Sequence, residues 1–170
     1  SANPGDTIFV TGTLGGAYGA LQLLENGSRF GEPGVDKLLR KQVEPHPQLA
    51  AANLLQTLDI VTSMIDISDG LSSDLSHVCR SSGVGAKIWS ENIPVNPDLP
   101  AYFAADACID MALNGGEDFE LLFTVAEKNI SKLNLPDFTR IGEITANVGI
   151  IELSTSGQSR ELPPKGYQHF

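Results

Sequence analysis

The sequence predicts an α/β domain of the α+β kind, in which one mixed β-sheet carries helices. Short apolar runs typical of strands recur along the chain, segments with helical spacing lie between them, and the two types interleave without strict alternation. With 170 residues, of which 41% are hydrophobic, the chain is long enough for one compact domain with a core and too short for two. We therefore predict that residues 1–170 form a single domain.

The first part of the chain predicts a strand near 6–11 and a helix near 15–25 with one alanine and leucine stripe. The glycine-rich loop between them lacks the Gly-Lys-Ser/Thr ending of a P-loop. A tight strand-to-helix turn is therefore favoured over a phosphate cradle. Prolines then separate two short helices, near 34–42 and 47–57.

The second part begins with an apolar approach to Asp66 that includes Met64, and these apolar residues are expected to be buried in a sheet. Leucines at 71 and 75, followed by Val78, then give the spacing of a helix near 70–81. The remaining segments predict strands near 85–90, 119–126, 139–145 and 148–155, and helical segments near 99–112 and 129–133.

Three carboxylates and a hydroxyl cluster follow where the Asp66 strand ends. Asp66 and Ser68 leave the strand on the same side, and Asp69 falls in the turn before the helix. Carboxylate oxygens are ligands for hard cations, and the amino end of a helix favours phosphate oxygens. The cluster predicts a metal-nucleotide site. The alternative is that Ser68 or Asp69 caps the helix, with Asp74 placed near the positive end of its dipole.

A second cluster, NGGEDFELLF at 114–123, places Glu117 at the mouth of another predicted strand. Two glycines allow close backbone approach to a ligand, although a hairpin-like turn with solvated acids is the commoner meaning of such a pair. Since both clusters lie at strand ends, we expect them to meet in one cleft.

The composition disfavours several classes of partner and site. A formal charge of -10 disfavours nucleic acid as a partner, because polyanion binding draws on clustered Lys and Arg. Cys79 and Cys108 lie outside any zinc or disulfide pattern and are interpreted as core thiols, while His77 and His169 look isolated. No apolar run approaches the roughly 20 residues of a transmembrane helix, so we expect a cytoplasmic protein without membrane contact.

Six motifs resemble those of the thiamine-monophosphate kinase family and occur in that family's order. They are DISDGL (66–71), SDL (73–75), SGVGA (82–86), NGGEDFELL (114–122), IGEI (141–144) and GYQHF (166–170). The resemblance spans essentially the whole chain, and it implies the C-terminal domain fold of the aminoimidazole-ribonucleotide synthetase superfamily.

The resemblance also implies an activity, the Mg²⁺-assisted transfer of a phosphoryl group from ATP to thiamine monophosphate, giving thiamine diphosphate. By matching motif positions, Asp66 and Asp69 would bind metal, Ser68 would contact ATP, and Glu117 and Tyr167 would bind the thiamine substrate. Tyr167 matches the position of an aromatic substrate contact in the family motif, and an aromatic face suits a flat cationic ring. Without the resemblance, Tyr167 would be interpreted as an aromatic residue that anchors the C-terminal tail in the core. No residue is assigned as general acid or base.

The resemblance further implies that this chain is the C-terminal half of a two-domain kinase whose N-terminal nucleotide and metal domain is absent here. That domain would be the chain's partner, and the full-length enzyme would be able to form a homodimer. Two other functions stay open: a sister synthetase of the superfamily, such as selenophosphate synthetase or a hydrogenase-maturation enzyme, and a non-catalytic ligand- or partner-binding module.

Overall fold

The computed structural model describes residues 1–32, 34–133 and 138–165. The strands are β1 (Thr7–Thr11), β2 (Val61–Asp66), β3 (Gly85–Trp89), β4 (Leu121–Val125), β5 (Phe138–Thr145), β6 (Ile151–Thr155) and β7 (Gln158–Glu161). The helices are α1 (Gly16–Glu25), α2 (Asp36–Val43), α3 (Leu49–Leu58), α4 (Leu71–Ser82) and α5 (Ala105–Asn114), with short 3₁₀ segments at 90–92, 99–101 and 127–132.

The strands form one mixed sheet in the order β2-β4-β1-β5-β3-β6-β7. β3 and β6 pair in parallel, and every other pair in the sheet is antiparallel. The predicted fold class, a mixed sheet packed with helices, is confirmed. Within the described residues, no helix has the length and apolar character needed to cross a bilayer.

Alternate residues of the central strands enter cores on opposite faces of the sheet. Ile8 and Leu122 belong to the core that α4 and α5 cover, whereas Phe9 and Phe123 pack on the other face with Leu55 of α3. The rings of Phe9 and Phe123 stack with centroids 5.5 Å apart. The sheet is therefore sandwiched between helices along its middle strands.

A third core joins α1, α2 and α5 through residues such as Ala20, Leu38 and Met111. It holds α2 beside the segment that follows α5. Cys79 and Cys108 are buried in the first and third cores, as expected of core thiols, and burial raises the pKa of Cys79 to about 11.

Two features differ from the sequence prediction. The strand β7 was not predicted because its four residues are polar and exposed. It forms because Ser156 and Gly157, both with positive φ, reverse the chain onto β6. Met64 was expected to be buried, but β2 is an edge strand and 42% of the Met64 residue is exposed.

The loop between β1 and α1 depends on close backbone packing at Gly15. This residue has φ +84°, and a Cβ placed on it would lie 2.8 Å from the backbone nitrogen of Ala112 in α5. Only glycine meets both conditions without strain. The predicted strand-to-helix turn therefore brings α1 against the end of α5.

We expect Gly15→Ala to destabilise the domain more than Gly27→Ala does. Gly27 has φ +99°, and a Cβ placed on it would meet no atom within 4 Å, so alanine there adds backbone strain of about 1 kcal/mol without a clash. At Gly15 the clash with α5 should add about 1–3 kcal/mol. Urea unfolding of both variants measures the difference, and equal losses would contradict close packing at Gly15.

Candidate functional site

The two polar clusters predicted from the sequence lie side by side at the ends of β2 and β4. Asp66 pairs with Leu121 in the sheet register. Beyond it, the Ile67 amide donates to the Glu120 carbonyl (2.7 Å), the Phe119 amide to the Ile67 carbonyl (3.0 Å), and the Glu117 amide to the Ser68 carbonyl (2.9 Å). We call residues 66–70 and 114–120 the strand-end junction.

The two glycines allow this close approach and do not form a hairpin. They connect α5 to β4, and a Cβ on Gly116 would lie 2.6 Å from the Ser68 carbonyl oxygen. A Cβ on Gly115 would lie 2.5 Å from the Met111 carbonyl oxygen and 2.6 Å from the Cβ of Tyr18 in α1. Tyr18 is 39% exposed, so its aromatic side chain borders the junction. The sequence analysis did not single out this residue.

The turn at 68–70 is fixed by Asp74, one turn into α4. One Asp74 carboxylate oxygen accepts hydrogen bonds from the amides of Ser68 (3.0 Å), Asp69 (3.0 Å) and Gly70 (3.1 Å). Burial raises the pKa of Asp74, while the three amides oppose that shift. Gly70 is the N-cap of α4, so the alternative in which Ser68 or Asp69 is the cap residue is wrong.

The predicted metal ligands differ in their surroundings. Asp66 is exposed at the end of β2, and Asp69 is half-buried. A carboxylate oxygen of Asp69, one of Asp74 and a ring nitrogen of His77 all lie within 4.8 Å of one another. His77 is therefore not isolated, contrary to the sequence prediction. This group of three does not include Asp66. Oxygen donors suit Mg²⁺, so the carboxylates in the group fit this cation better than the imidazole does.

Glu117 lies exposed on the other side of the junction with φ +67°. Its carboxylate accepts a hydrogen bond from the Nε2 group of Gln42, in α2. No sequence signal pointed to Gln42, because it stands 75 residues earlier and outside any recognised motif.

The two acids that follow Glu117 face inward and serve the fold. Asp118 accepts hydrogen bonds from the amides of Gly15 (2.6 Å) and Ala17 (3.1 Å), so it caps the amino end of α1. Glu120 is buried and accepts a hydrogen bond from the Thr11 hydroxyl (2.6 Å). Because Asp118 already accepts hydrogen bonds from these amides at the start of α1, they do not serve as donors to a phosphate, as the phosphate-cradle alternative requires.

Burial perturbs both of these carboxyl groups. Desolvation raises the pKa of Asp118 to about 6 against its two amide hydrogen bonds, with Glu120 adding to the rise and Lys41 opposing it. Desolvation likewise raises the pKa of Glu120. Both acids line a cleft of about 210 Å³ whose other wall is α2 and the segment after it, including Lys41.

Tyr167, the remaining predicted substrate contact, lies outside the described residues, as does His169. The last described residue before them, Lys165, lies near the junction. The Lys165 amide donates to the Ser72 hydroxyl (3.3 Å), which in turn donates to the Asn114 side chain (2.7 Å).

The raised pKa of Asp118 predicts a pH-dependent stability. A carboxyl group whose pKa is higher in the folded state stabilises the fold below its unfolded value of 3.8, and this contribution disappears as the pH rises through about 6. The free energy of unfolding of the wild type, relative to Asp118→Asn, should therefore fall by about 1 kcal/mol between pH 5 and pH 7.5. Urea unfolding at both pH values measures it, and a pH-independent difference would contradict the assignment.

Most of this chain is similar to a known protein family and to individual known proteins. The family model described as AIR synthase related protein, C-terminal domain, matches residues 3–152. Thiamine-monophosphate kinase of Escherichia coli strain K12 is 36% identical over 99% of this chain and 54% of its own length. The chain thus spans about half the length of the curated relatives it matches.

Two solved structures are similar to this chain in fold. The structure described as AaThiL complexed with AMPPCP and TMP aligns with a TM-score of 0.83 at 32% identity, covering 99% of this chain and 52% of that one. The hydrogenase maturation protein HypE in complex with ATP aligns at 18% identity with a TM-score of 0.67, over 96% of this chain and 51% of HypE, and this likeness shows the fold alone. On the family match, the chain belongs to the AIR synthase related proteins, as an example of their C-terminal domain.

Proposed function

We propose that this chain forms the C-terminal part of a kinase that converts thiamine monophosphate to thiamine diphosphate with ATP as phosphoryl donor. The observation that carries the proposal is the strand-end junction, where backbone hydrogen bonds join the segment of Asp66, Ser68 and Asp69 to the segment of Glu117. Relatives with this activity in their name, and a related structure described with AMPPCP and TMP, support the same function.

The chemistry needs no general base. The acceptor is a phosphate whose second pKa lies near 6, so at neutral pH it already carries a nucleophilic oxygen. The task left to the protein is to align donor and acceptor and to offset the negative charge crowded between them. A site rich in carboxylates, without a catalytic His or Lys, fits such a task when cations are present.

The junction offers a place for each component. Asp66 and Asp69 would hold Mg²⁺, which when bound neutralises charge on the phosphates. Ser68 would contact ATP through its hydroxyl or amide, in a turn that Asp74 keeps rigid. On the opposite side Glu117 would bind the cationic thiamine moiety, with Tyr167 as the proposed aromatic contact.

The other half of the site would come from outside this chain. We propose that an N-terminal domain contributes further metal ligands and most of the nucleotide pocket, because this chain matches about half the length of its curated relatives. A homodimer of the full-length enzyme and a cytoplasmic location stay predictions of the family resemblance.

The rival functions make different demands. A sister synthetase would share this fold, as HypE does at 18% identity. Relatives named thiamine-monophosphate kinase are 32% and 36% identical over nearly the whole chain, which favours the kinase. A non-catalytic binding module would hold ligand without turnover. The isolated chain should behave in that way, since half a nucleotide site does not align a phosphoryl group with its acceptor.

We expect Asp69→Ala in the full-length enzyme to lower kcat for thiamine diphosphate formation by about 100-fold or more, because a metal ligand is lost where charge develops. Asp106→Ala, which removes an exposed carboxylate in the first turn of α5, serves as the matched control and should keep full activity. Production of ADP and thiamine diphosphate is measured for each, with circular dichroism as a check on folding.

Residues 1–170 alone should form no thiamine diphosphate in the same assay. Turnover by this isolated chain would overturn the half-site proposal. A folded Asp69→Ala enzyme with unchanged activity would remove Asp69 from the proposed metal site and leave it a structural role in the turn.

A further inference from the structure

The backbone on both sides of Asp118 is strained. Glu117 has φ +67° and Phe119 has φ +52°, a left-handed conformation that residues with a side chain rarely adopt. Such a conformation costs free energy and persists where the surrounding structure over-determines it, often at functional sites. The contacts that hold residues 117–119 in place therefore show what this strain serves.

One set of contacts comes from the other half of the strand-end junction. The Glu117 amide donates to the Ser68 carbonyl (2.9 Å), and the Phe119 amide donates to the Ile67 carbonyl (3.0 Å). These two hydrogen bonds hold the segment from one direction only. A second restraint comes from the side chain of the residue between them, Asp118.

The Asp118 carboxylate ties the strained segment to two helices. One of its oxygens accepts a hydrogen bond from the Gly15 amide (2.6 Å), and the other accepts one from the Ala17 amide (3.1 Å). The first of these donors is itself immobile, because a Cβ placed on Gly15 would lie 2.8 Å from the backbone nitrogen of Ala112 in α5. Asp118 therefore fixes residues 117–119 against α1 and, through Gly15, against α5.

The side chain that this arrangement presents is Glu117. Glu117 is exposed at the junction, so a ligand can reach it, whereas both Asp118 oxygens already accept hydrogen bonds from α1. A change of φ at Glu117 would redirect its side chain. Misplacement of a binding group by about 1 Å is enough to weaken a contact with substrate substantially.

We propose that Asp118 is a positioning residue for the substrate: its hydrogen bonds to α1 hold Glu117 in the left-handed conformation that directs the Glu117 carboxylate to the cationic moiety of thiamine monophosphate. This inference rests on the proposed function. Asp118 acts through Glu117 and does not touch the substrate. The proposed ATP contact, Ser68, has a separate anchor in Asp74, so ATP binding should not depend on Asp118.

The test is Asp118→Asn in the full-length enzyme, assayed at about pH 7.5, above the Asp118 pKa of about 6. The variant keeps the shape of the side chain but has one acceptor oxygen, so it does not accept both amides. We expect the KM for thiamine monophosphate to rise about tenfold, because a charged contact is weakened. The KM for ATP and kcat should each change by less than twofold, since the lost contact binds substrate and transition state alike.

Asp6→Asn is the matched control. Asp6 is buried and accepts hydrogen bonds from the Asn3 amide (2.9 Å) and the Thr62 hydroxyl (2.7 Å). It precedes β1, whose first residue, Thr7, pairs with Val125 at the end of β4 away from the junction. The same chemical change there should lower the urea midpoint of unfolding and leave both KM values unchanged. A loss of stability alone would then not explain a rise in KM.

A double variant tests whether Asp118 acts through Glu117. In a Glu117→Gln enzyme the positioned carboxylate is gone, so adding Asp118→Asn should raise the KM for thiamine monophosphate by less than a further twofold. A direct electrostatic effect of Asp118 on the cationic substrate would instead persist in that background at its full size.

The outcomes separate this inference from the proposed function. With an active wild type, the inference is overturned by an unchanged KM in Asp118→Asn, by an equal rise in Asp6→Asn, or by a full-size rise in the Glu117→Gln background, and the proposed function stands. A wild-type enzyme that forms no thiamine diphosphate overturns the proposed function and this inference with it. If Asp118→Asn does not fold, Asp118→Glu, which keeps the carboxylate but lengthens its arm, is judged by the same criteria.

Discussion

The Asp74 carboxylate, which gathers the amides of residues 68–70, is the interaction on which the rest of the junction depends. It turns the chain from the end of β2 into α4 and so determines where Ser68 and Asp69 lie, while the pairing of β2 with β4 positions Asp66. Without this acceptor three amides at a partly buried helix start would lack partners, at a cost of about 1–3 kcal/mol each. The backbone bonds from Ile67 and Ser68 to the 117–120 segment then carry the same constraint to the second half of the junction.

Burial divides the acids in the junction and next to it into two groups with different tasks. Asp74, Asp118 and Glu120 turn inward, accept hydrogen bonds from this chain and have raised pKa values because desolvation outweighs those bonds. Asp66 and Glu117 stay exposed at the strand ends. The inward acids hold the fold, and the outward ones are the groups that we propose bind ligands. Each of the two acidic segments thus contains both scaffold acids and a proposed binding group.

Much of this arrangement was predictable, because it follows from local patterns. The apolar approach to Asp66 and the helical spacing after it indicate a strand-to-helix junction, and two acidic clusters at strand ends suggest a shared edge of the sheet. Interactions between distant segments were not predictable. Asp118 caps α1 from about 100 residues away, and Gln42 reaches Glu117 from a helix with no motif. The exposure of Met64 depends on the position of β2 at the edge, which only the strand order determines.

Hydrogen exchange of Asp74→Ala, followed amide by amide, tests most directly whether Asp74 holds both halves of the junction together. We expect exchange at Ser68, Asp69 and Gly70 to accelerate, and exchange at Glu117 and Phe119 to accelerate with it, because their acceptors are the carbonyls of Ser68, in the released turn, and of Ile67, next to it. The Ala86 amide, bonded to the Ile150 carbonyl in the distant part of the sheet, should keep its protection. Unchanged protection at Glu117 and Phe119, with residues 68–70 alone accelerated, would contradict the claim.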